Sequence, residues 1–212
     1  RQPLKVLLND LLAKRDLPQT KIAKKFVFLY GTISTFGLAG CLIFGKIENF
    51  LPFFIIFPLA IYQIYCDSSR KSRELLPELT GAIAVSSSVA VIALADNWSL
   101  ISAFSLWTIF VARLIPSILY VRNRLRLEKG KDFSSLFPNL SHLLSLLVIG
   151  FLVFKGLASI FTAFMFVILL GRSVIGLSPY RRKVKAMKIG VWEVIYGTLT
   201  AISVVIGYYM NV

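Results

Sequence analysis

Long apolar runs separated by short polar segments occupy most of the 212-residue chain. A helix that crosses the hydrocarbon core of a bilayer needs roughly 20 apolar residues, and its backbone hydrogen bonds must be satisfied internally. The runs are continuous and lack the alternation that a transmembrane β-barrel requires. The pattern therefore predicts an all-α polytopic transmembrane bundle with seven spans. The predicted spans are 26–45, 49–66, 79–95, 98–121, 139–154, 156–177 and 190–211.

Composition agrees with this class, and the sequence predicts two regions. Hydrophobic residues make up 57% of the sequence, and the mean hydropathy of +0.75 is too high for a soluble domain of this size. Residues 26–212 are the predicted transmembrane domain, and residues 1–25 are a predicted cytoplasmic segment. That segment forms an amphipathic helix that either lies in the membrane interface or packs on the bundle as a solvated helix. Its apolar face comprises Leu4, Leu7, Leu8, Leu11 and Leu12, opposite Lys5, Lys14 and Arg15.

The basic residues predict the orientation of the spans. The formal net charge is +14, and 20 of the 24 Lys and Arg residues lie in four long connections, 1–25, 67–77, 122–137 and 178–189. Because positively charged loops remain on the cytoplasmic side, these four connections are predicted to face the cytoplasm. The chain is then a multi-pass protein of the cytoplasmic (inner) membrane whose basic face meets anionic lipids. Nucleic acid is not a predicted partner, because the charge is spread over the ends of loops.

Cysteine and histidine give little indication of metal chemistry. Cys41 and Cys66 fall near opposite ends of neighbouring spans, so no disulfide is expected. The chain has one histidine, His142, and no pair of Cys or His residues at metal-ligand spacing, so no metal site is predicted. His142 lies about one turn into its span and is interpreted as a hydrogen-bonded structural residue.

Polar residues inside the spans are candidates for function, because burying them is costly. Arg113, Ser117, Tyr120 and Arg124 follow one another at spacings of four, three and four, which places them on one helix face. This face could carry an anion site, or Arg113 could extend to the interface or pair with a carboxylate. We expect Arg113 to face the interior and to contact Asp67, Glu74 or an anionic head group. Arg122 and Arg126, on other sides of the helix, are expected at the lipid–water boundary.

Two further groups extend the candidate site. Arg172 lies about two turns before the last basic connection and allows the same interpretations as Arg113. Glu193 begins the last predicted span, where a carboxylate suits the positive end of a helix, and it is also close enough along the chain to pair with Arg172. The connection after the second span mixes both signs of charge, and its ordinary interpretation is a solvated loop. Its candidate ligand-binding residues are Asp67, Arg70, Arg73 and Glu74.

The sequence resembles the YwiC-like family of bacterial multi-pass membrane proteins. The similar segments are RQPL at the start, DSSRKSRELLPELTGA, ARLIPSILYVRNRLRLEKG, the segment around His142, and GRSVIGLSP followed by VWEVIYG. The family usually begins with a further segment, and this chain begins without Met, so we expect one or two spans to precede it. The resemblance implies a membrane fold and no particular reaction.

A more distant resemblance in topology is to the UbiA-type intramembrane prenyltransferases. With two preceding spans the total would be nine, as in those enzymes, with long cytoplasmic loops after every second span. The enzymes hold Mg²⁺ and a prenyl pyrophosphate on Asp-rich loop motifs. Here Asn9 and Asp10 are followed by Ala13 and Leu17 where Asp is expected, and the second motif falls in an Arg-rich segment. No cofactor, including Mg²⁺, is therefore predicted.

Two functions of different classes fit these residues. One is the binding or modification of an amphipathic isoprenoid or lipid through its anionic head group at the cytoplasmic face. The other is a non-catalytic structural or assembly subunit packed against other membrane subunits. The sequence does not decide whether the protein is an enzyme.

The predicted topology can be tested by cysteine labelling. In membrane vesicles, Lys46→Cys and Asp96→Cys are expected to react with an impermeant thiol reagent from the extracytoplasmic side only, because the short turns that hold them carry little positive charge. Labelling of either position from the cytoplasmic side would contradict the orientation.

Overall fold

The computed structural model describes residues 2–13, 17–69 and 74–210, without the side chains of residues 2, 67 and 68. These residues form helices, turns and loops and include no strand. The all-α class predicted from the sequence is therefore confirmed. The chain divides into an N-terminal unit, Arg1–Trp98, and a C-terminal unit, Ser99–Val212.

The N-terminal unit contains five α-helices and one short 3₁₀ helix, Ile47–Phe50, within its described residues. The first helix confirms the helical pattern of the amphipathic segment, although Lys14 and Arg15 lie outside the described residues. The second begins at Pro18, before the predicted start of the first span at residue 26. The helices are α1 (Gln2–Leu12), α2 (Pro18–Phe44), α3 (Leu51–Ser68), α4 (Leu75–Ser86) and α5 (Ser88–Ala95).

Two hydrogen bonds connect the end of α1 to the start of α2. The Thr20 hydroxyl donates a hydrogen bond of 2.6 Å to the Asp10 carboxylate and accepts one of 3.2 Å from the backbone N–H of Leu17. Asp10 and Thr20 are both buried. Asp10 therefore makes a structural contact here.

Three consecutive serines interrupt the span made by α4 and α5. The hydroxyls of Ser86, Ser87 and Ser88 donate to the carbonyl oxygens three residues earlier, at 2.7–2.8 Å. Such bonds compete with the backbone ladder and bend helices. The regular helix therefore stops at Ser86 and resumes at Ser88.

The C-terminal unit is an antiparallel bundle of four helices. Serine side chains start two of them: Ser99 accepts from the N–H of Ser102, and Ser159 accepts from the N–H of Thr162. Successive helices are packed against each other, so the end of α6, the start of α7, the end of α8 and the start of α9 lie at one end of the bundle. The helices are α6 (Leu100–Glu128), α7 (Leu136–Phe154), α8 (Ile160–Gly176) and α9 (Ala186–Met210).

The core of this bundle lies towards the opposite end and is apolar. It consists of Ile109, Ile149, Leu152 and Phe166, from α6, α7 and α8. Small and medium apolar side chains, including Val204 of α9, pack around it. The core holds the helices together and leaves the other end of the bundle to polar residues.

Six helical segments of the described chain are long and apolar enough to cross a membrane. They agree with six of the seven predicted spans. The remaining helix, α8, has 17 residues and is shorter than the others. The count of seven spans therefore stays a prediction, whereas the multi-pass helical class is confirmed.

Phe166→Ala is expected to destabilise the C-terminal unit far more than Phe164→Ala. Phe166 is 2% exposed in the core, whereas Phe164, one half-turn away on the same helix, is 64% exposed. The lost packing should cost roughly 3 kcal/mol, the lower end of the range for Phe→Ala in cores, because lipid replaces part of the apolar contact. Thermal unfolding of the purified protein in detergent would measure the difference. Equal melting temperatures for the two variants would contradict this packing.

Candidate functional site

The polar face that the spacing predicts on α6 is present and buried. Arg113, Ser117, Tyr120 and Arg124 are all among the buried residues of this helix. The helix continues through the basic segment to Glu128, so the arginines that follow Tyr120 are spread around its axis. Arg124 is 4% exposed, whereas Arg126 is exposed. The basic segment therefore contributes one interior arginine to this face.

One carboxylate joins α6, α8 and α9. Arg172 lies 2.5 Å from Oε1 of Glu193, and Arg113 lies 3.4 Å from Oε2 of the same side chain. Arg113 also donates a hydrogen bond of 2.9 Å to the backbone carbonyl of Glu193. We call Arg113, Arg172 and Glu193 the Glu193 cluster. The predicted pairing of Glu193 with Arg172 is thus confirmed.

One expectation for this cluster was wrong, and another stays a prediction. Arg113 was expected to contact Asp67, Glu74 or an anionic head group. The structure places Glu193 beside it, and a contact with either residue of the N-terminal unit stays a prediction. The helix-capping role of Glu193 fails because α9 begins at Ala186, within the basic connection, so Glu193 lies about two turns inside the helix. Its charge is satisfied by side chains of other helices and not by the helix end.

Two aromatic rings contact the Arg172 guanidinium. Its central carbon lies 4.4 Å from the centroid of the Tyr120 ring and 4.7 Å from that of the Tyr196 ring. Such contacts stabilise a cation whose water has been removed. The Nε and Nη2 atoms of Arg172 are buried and have no hydrogen-bond partner among the described residues. One edge of this guanidinium is therefore buried without an acceptor.

A second cluster has the same composition. Arg124 lies 2.8 Å from Oε1 of Glu128, one turn further along α6, and Arg181 lies 3.8 Å from the same oxygen. We call Arg124, Arg181 and Glu128 the Glu128 cluster. Arg124 also donates to the carbonyl of Gly176 and, at 2.6 Å, to that of Arg182. Arg124 therefore bonds to the backbone at both ends of the segment that follows α8, residues 176–182.

Gly176 allows Tyr120 to approach the end of α8. A Cβ atom at position 176 would lie 2.9 Å from Cε2 of Tyr120, closer than side chains pack. The missing side chain therefore leaves room for the ring that stacks on Arg172.

The two clusters border one cleft of about 630 Å³ within the C-terminal unit. Arg172 and Glu193 line it from the first cluster, and Arg124 and Arg181 from the second. Its remaining lining combines aromatic and aliphatic side chains with one more arginine: Tyr120, Ile168, Ile175, Tyr180, Arg182, Val184, Ile189, Trp192 and Tyr196, together with Gly171 and Gly176. The cleft therefore has both cationic and apolar walls.

His142 lies beside this site as a structural residue. Its Nδ1 donates a hydrogen bond of 2.8 Å to the carbonyl of Pro138, and its ring meets that of Tyr120 edge-on at 6.4 Å between centroids. It is 2% exposed. These contacts agree with the role predicted from the sequence.

Half of the predicted site is brought together, and the other half stays a prediction. Arg113, Tyr120, Arg124 and Arg172 meet in the C-terminal unit. Glu74 is exposed before α4 in the N-terminal unit. The side chain of Asp67, and Arg70 and Arg73 entirely, lie outside the described residues.

Sequence reasoning missed Glu128, Arg181, Trp192 and Tyr196. The spacing of four between Arg124 and Glu128, and of three between Glu193 and Tyr196, could have indicated two of them. Nothing in the spacing indicates Arg181, which comes from a connection after another helix. In the described part of the chain, no group of three or more His, Cys, Asp or Glu side chains is placed to hold a metal ion.

The fold and the buried ion clusters define a multi-pass helical membrane protein. Residues 1–93 match the model of the YwiC-like protein family, which confirms the predicted resemblance over that region. The match ends before the C-terminal unit, so the similar segments around Arg113, His142 and Arg172 lie beyond it. No curated protein and no solved structure is significantly similar to the chain.

Arg113→Leu is expected to destabilise the protein by about 1.5–3 kcal/mol, because it removes the charged hydrogen bond to Glu193 while Arg172 still pairs with that carboxylate. Arg126→Leu, on an exposed position of the same helix, is the matched control and should change stability little. Thermal unfolding and membrane accumulation would measure both. Equal, small effects of the two changes would show that the Glu193 cluster contributes nothing to the fold.

Proposed function

We propose that the C-terminal unit binds an amphipathic isoprenoid or lipid by its anionic head group. The observation that carries this proposal is the cleft of about 630 Å³, which four arginines and one glutamate line beside apolar and aromatic side chains. Ligand sites typically have a volume of about 300–1,000 Å³ and combine an apolar lining with a few placed polar groups. A head group and the first part of a chain fit a cleft of this size.

The cationic and the apolar parts of the cleft lining suggest how an amphipathic ligand would be oriented. The anionic head would lie against Arg172 and Arg181, whose clusters each contain two arginines and one glutamate. The chain would lie along Ile168, Ile175 and Trp192. Guanidinium groups suit a planar or tetrahedral anion because they donate in a fixed fork. The isoprenoid option rests on the resemblance in topology to the UbiA-type enzymes, whereas a lipid needs only the cleft.

The proposed location of the cleft is the cytoplasmic face of the cytoplasmic membrane. The ends of α6 and α8 and the starts of α7 and α9 meet at the end of the bundle that carries the cleft. The connections there are two of the four basic ones, and basic connections favour the cytoplasmic side. Anionic lipids of that leaflet are the proposed surroundings, and one of them could supply the ligand.

The alternative proposal is a non-catalytic subunit of a larger membrane complex. The Glu193 cluster favours it in one respect, because the cluster ties three helices together without any ligand. In that case the arginines stabilise the bundle, and partner subunits cover its apolar faces. The two proposals differ in whether the cleft takes up an amphiphile.

Fluorescence quenching at Trp192 tests the binding proposal. In a variant with Trp98→Phe and Trp107→Phe, Trp192 is the remaining tryptophan, and it lines the cleft. In phosphatidylcholine nanodiscs, a brominated anionic amphiphile should quench it saturably. The same brominated chain with a neutral head should bind about tenfold more weakly, because it lacks a charged hydrogen bond worth about 1.5–3 kcal/mol.

Arg172→Gln changes an arginine that lines the cleft, and Arg126→Gln is the control that changes an exposed arginine outside it. The first change should weaken saturable quenching by the anionic amphiphile, and the second should leave it unchanged. Non-saturable quenching that is equal for the anionic and the neutral head would reject the binding proposal. Purification in fixed stoichiometry with other membrane proteins would then support the alternative.

A further inference from the structure

The two ion clusters at the cleft each carry one uncompensated positive charge. In the Glu193 cluster, Arg113 and Arg172 share a single carboxylate, and in the Glu128 cluster Arg124 and Arg181 do the same. Side chains of both clusters line the same cleft. Because these side chains are largely shielded from water, their excess charge is only weakly screened. The two clusters together present an excess of two positive charges.

We propose that the head group is a phosphate monoester, whose two negative charges balance the excess charge of the Glu193 and Glu128 clusters. This inference rests on the proposed function and names the chemical class of the ligand at the same cleft. A carboxylate or a phosphodiester carries one negative charge and would leave one excess positive charge in the two clusters. Arg182, which also lines the cleft, adds a positive charge that every such ligand would meet. A phosphate monoester also presents three terminal oxygens, enough to accept from both clusters.

The free edge of Arg172 is the second observation that points to such a ligand. The Arg172 side chain is 10% exposed, and Glu193 contacts only its Nη1 atom. Its Nε and Nη2 atoms have no partner among the described residues, and together they form the edge that binds oxyanions in a bidentate manner. Buried donors without acceptors are rare in folded proteins, because each has lost its hydrogen bonds to water without replacement. Both atoms are buried, so a phosphate oxygen pair would satisfy them after displacing the groups that cover this edge.

The rings beside Arg172 keep this edge in place. The centroids of the Tyr120 and Tyr196 rings lie 4.4 and 4.7 Å from the central carbon of the guanidinium, so both rings restrict its movement. On the other side of the cleft, Arg124 holds the backbone of Gly176 and Arg182. The segment between these two carbonyls carries Arg181. The Nε atom of Arg181 also lacks a hydrogen-bond partner among the described residues, and its contact with Glu128 is a long one of 3.8 Å.

The charge of the ligand can be varied without changing its chain. Dodecyl phosphate loses its second proton at a pH of about 6, so it is a dianion at pH 8 and a monoanion at pH 5. Its methyl ester, a phosphodiester, is a monoanion at both pH values. Because the two ligands meet the same protein groups, the diester reports any titration of the protein itself. The charged and titratable groups that face the site are Arg113, Tyr120, Arg124 and Glu128 of α6, His142 of α7, Arg172 of α8, Arg181 and Arg182 of the following connection, and Glu193 and Tyr196 of α9.

Calorimetric titration of the protein in phosphatidylcholine nanodiscs, with empty nanodiscs subtracted, measures both affinities. At pH 8 dodecyl phosphate should bind about tenfold more tightly than its methyl ester, the ratio expected for one further charged hydrogen bond. At pH 5 this preference should largely disappear, because both ligands then carry one charge. Inorganic phosphate should compete only at much higher concentration, because it lacks the chain.

Two variants test whether the preference for the monoester over the diester comes from the two clusters. Arg172→Gln and Arg181→Gln should each reduce the preference for the monoester at pH 8 to about two- or threefold, because each removes the excess charge of one cluster. Arg126→Gln, exposed on α6 and outside the cleft, should leave it unchanged. The preference is the ratio of the affinities for the two dodecyl ligands, both measured on the same protein preparation. It therefore does not depend on the fraction of the protein that folds. Arg181 is the less buried of the two, so its variant retains the test if Arg172→Gln does not fold.

The outcomes separate this inference from the proposed function. Equal, saturable binding of the two dodecyl ligands at pH 8 would overturn the phosphate monoester and leave the anionic amphiphile. The absence of saturable binding by either would overturn both. Inorganic phosphate that binds as tightly as dodecyl phosphate would show that the chain contributes nothing, and it would overturn the assignment to an amphiphile's head group.

Discussion

The C-terminal unit depends on one carboxylate that two arginines share inside a membrane-spanning bundle. Glu193 of α9 meets Arg172 of α8 and Arg113 of α6, so three of the four helices are tied at one level. In a medium of low dielectric constant, each of these charges would be costly without the others. The apolar core near Ile149 holds the helices together, but it is the ion contact that specifies which faces meet. The rest of the site is arranged around this contact.

The stacking of Arg172 follows from that arrangement. With Nη1 bonded to Glu193 and the rings of Tyr120 and Tyr196 beside its central carbon, the guanidinium has little freedom to move. The close approach of Tyr120 in turn needs the missing side chain of Gly176. A bundle built only for stability would be expected to satisfy every donor of a buried arginine. The unpartnered edge of Arg172 is the feature on which the proposed head-group site rests.

Arg124, a basic residue near the end of α6, makes contacts that are structural. It was a candidate ligand residue on the basis of its helix face, and that face is indeed buried. Its guanidinium, however, is used by Glu128 and by two backbone carbonyls. It acts on the cleft by shaping the turn that presents Arg181 and not through a free donor of its own. A helix face predicts burial, but not which partner uses the buried group.

The sequence by itself determined the class of the protein and the buried face of α6. Apolar runs of bilayer length leave the backbone no alternative to helices, and the spacing of Arg113, Tyr120 and Arg124 follows from the 3.6-residue period. The pairing of Arg172 with Glu193 could also be predicted, because a single connection separates them. Only the tertiary structure decided that Glu193 is the partner of Arg113, 80 residues away, and that Arg181 joins Arg124 on Glu128. The physical reason is that periodicity is a local property of one helix, whereas the partner of a buried charge depends on how separate helices pack.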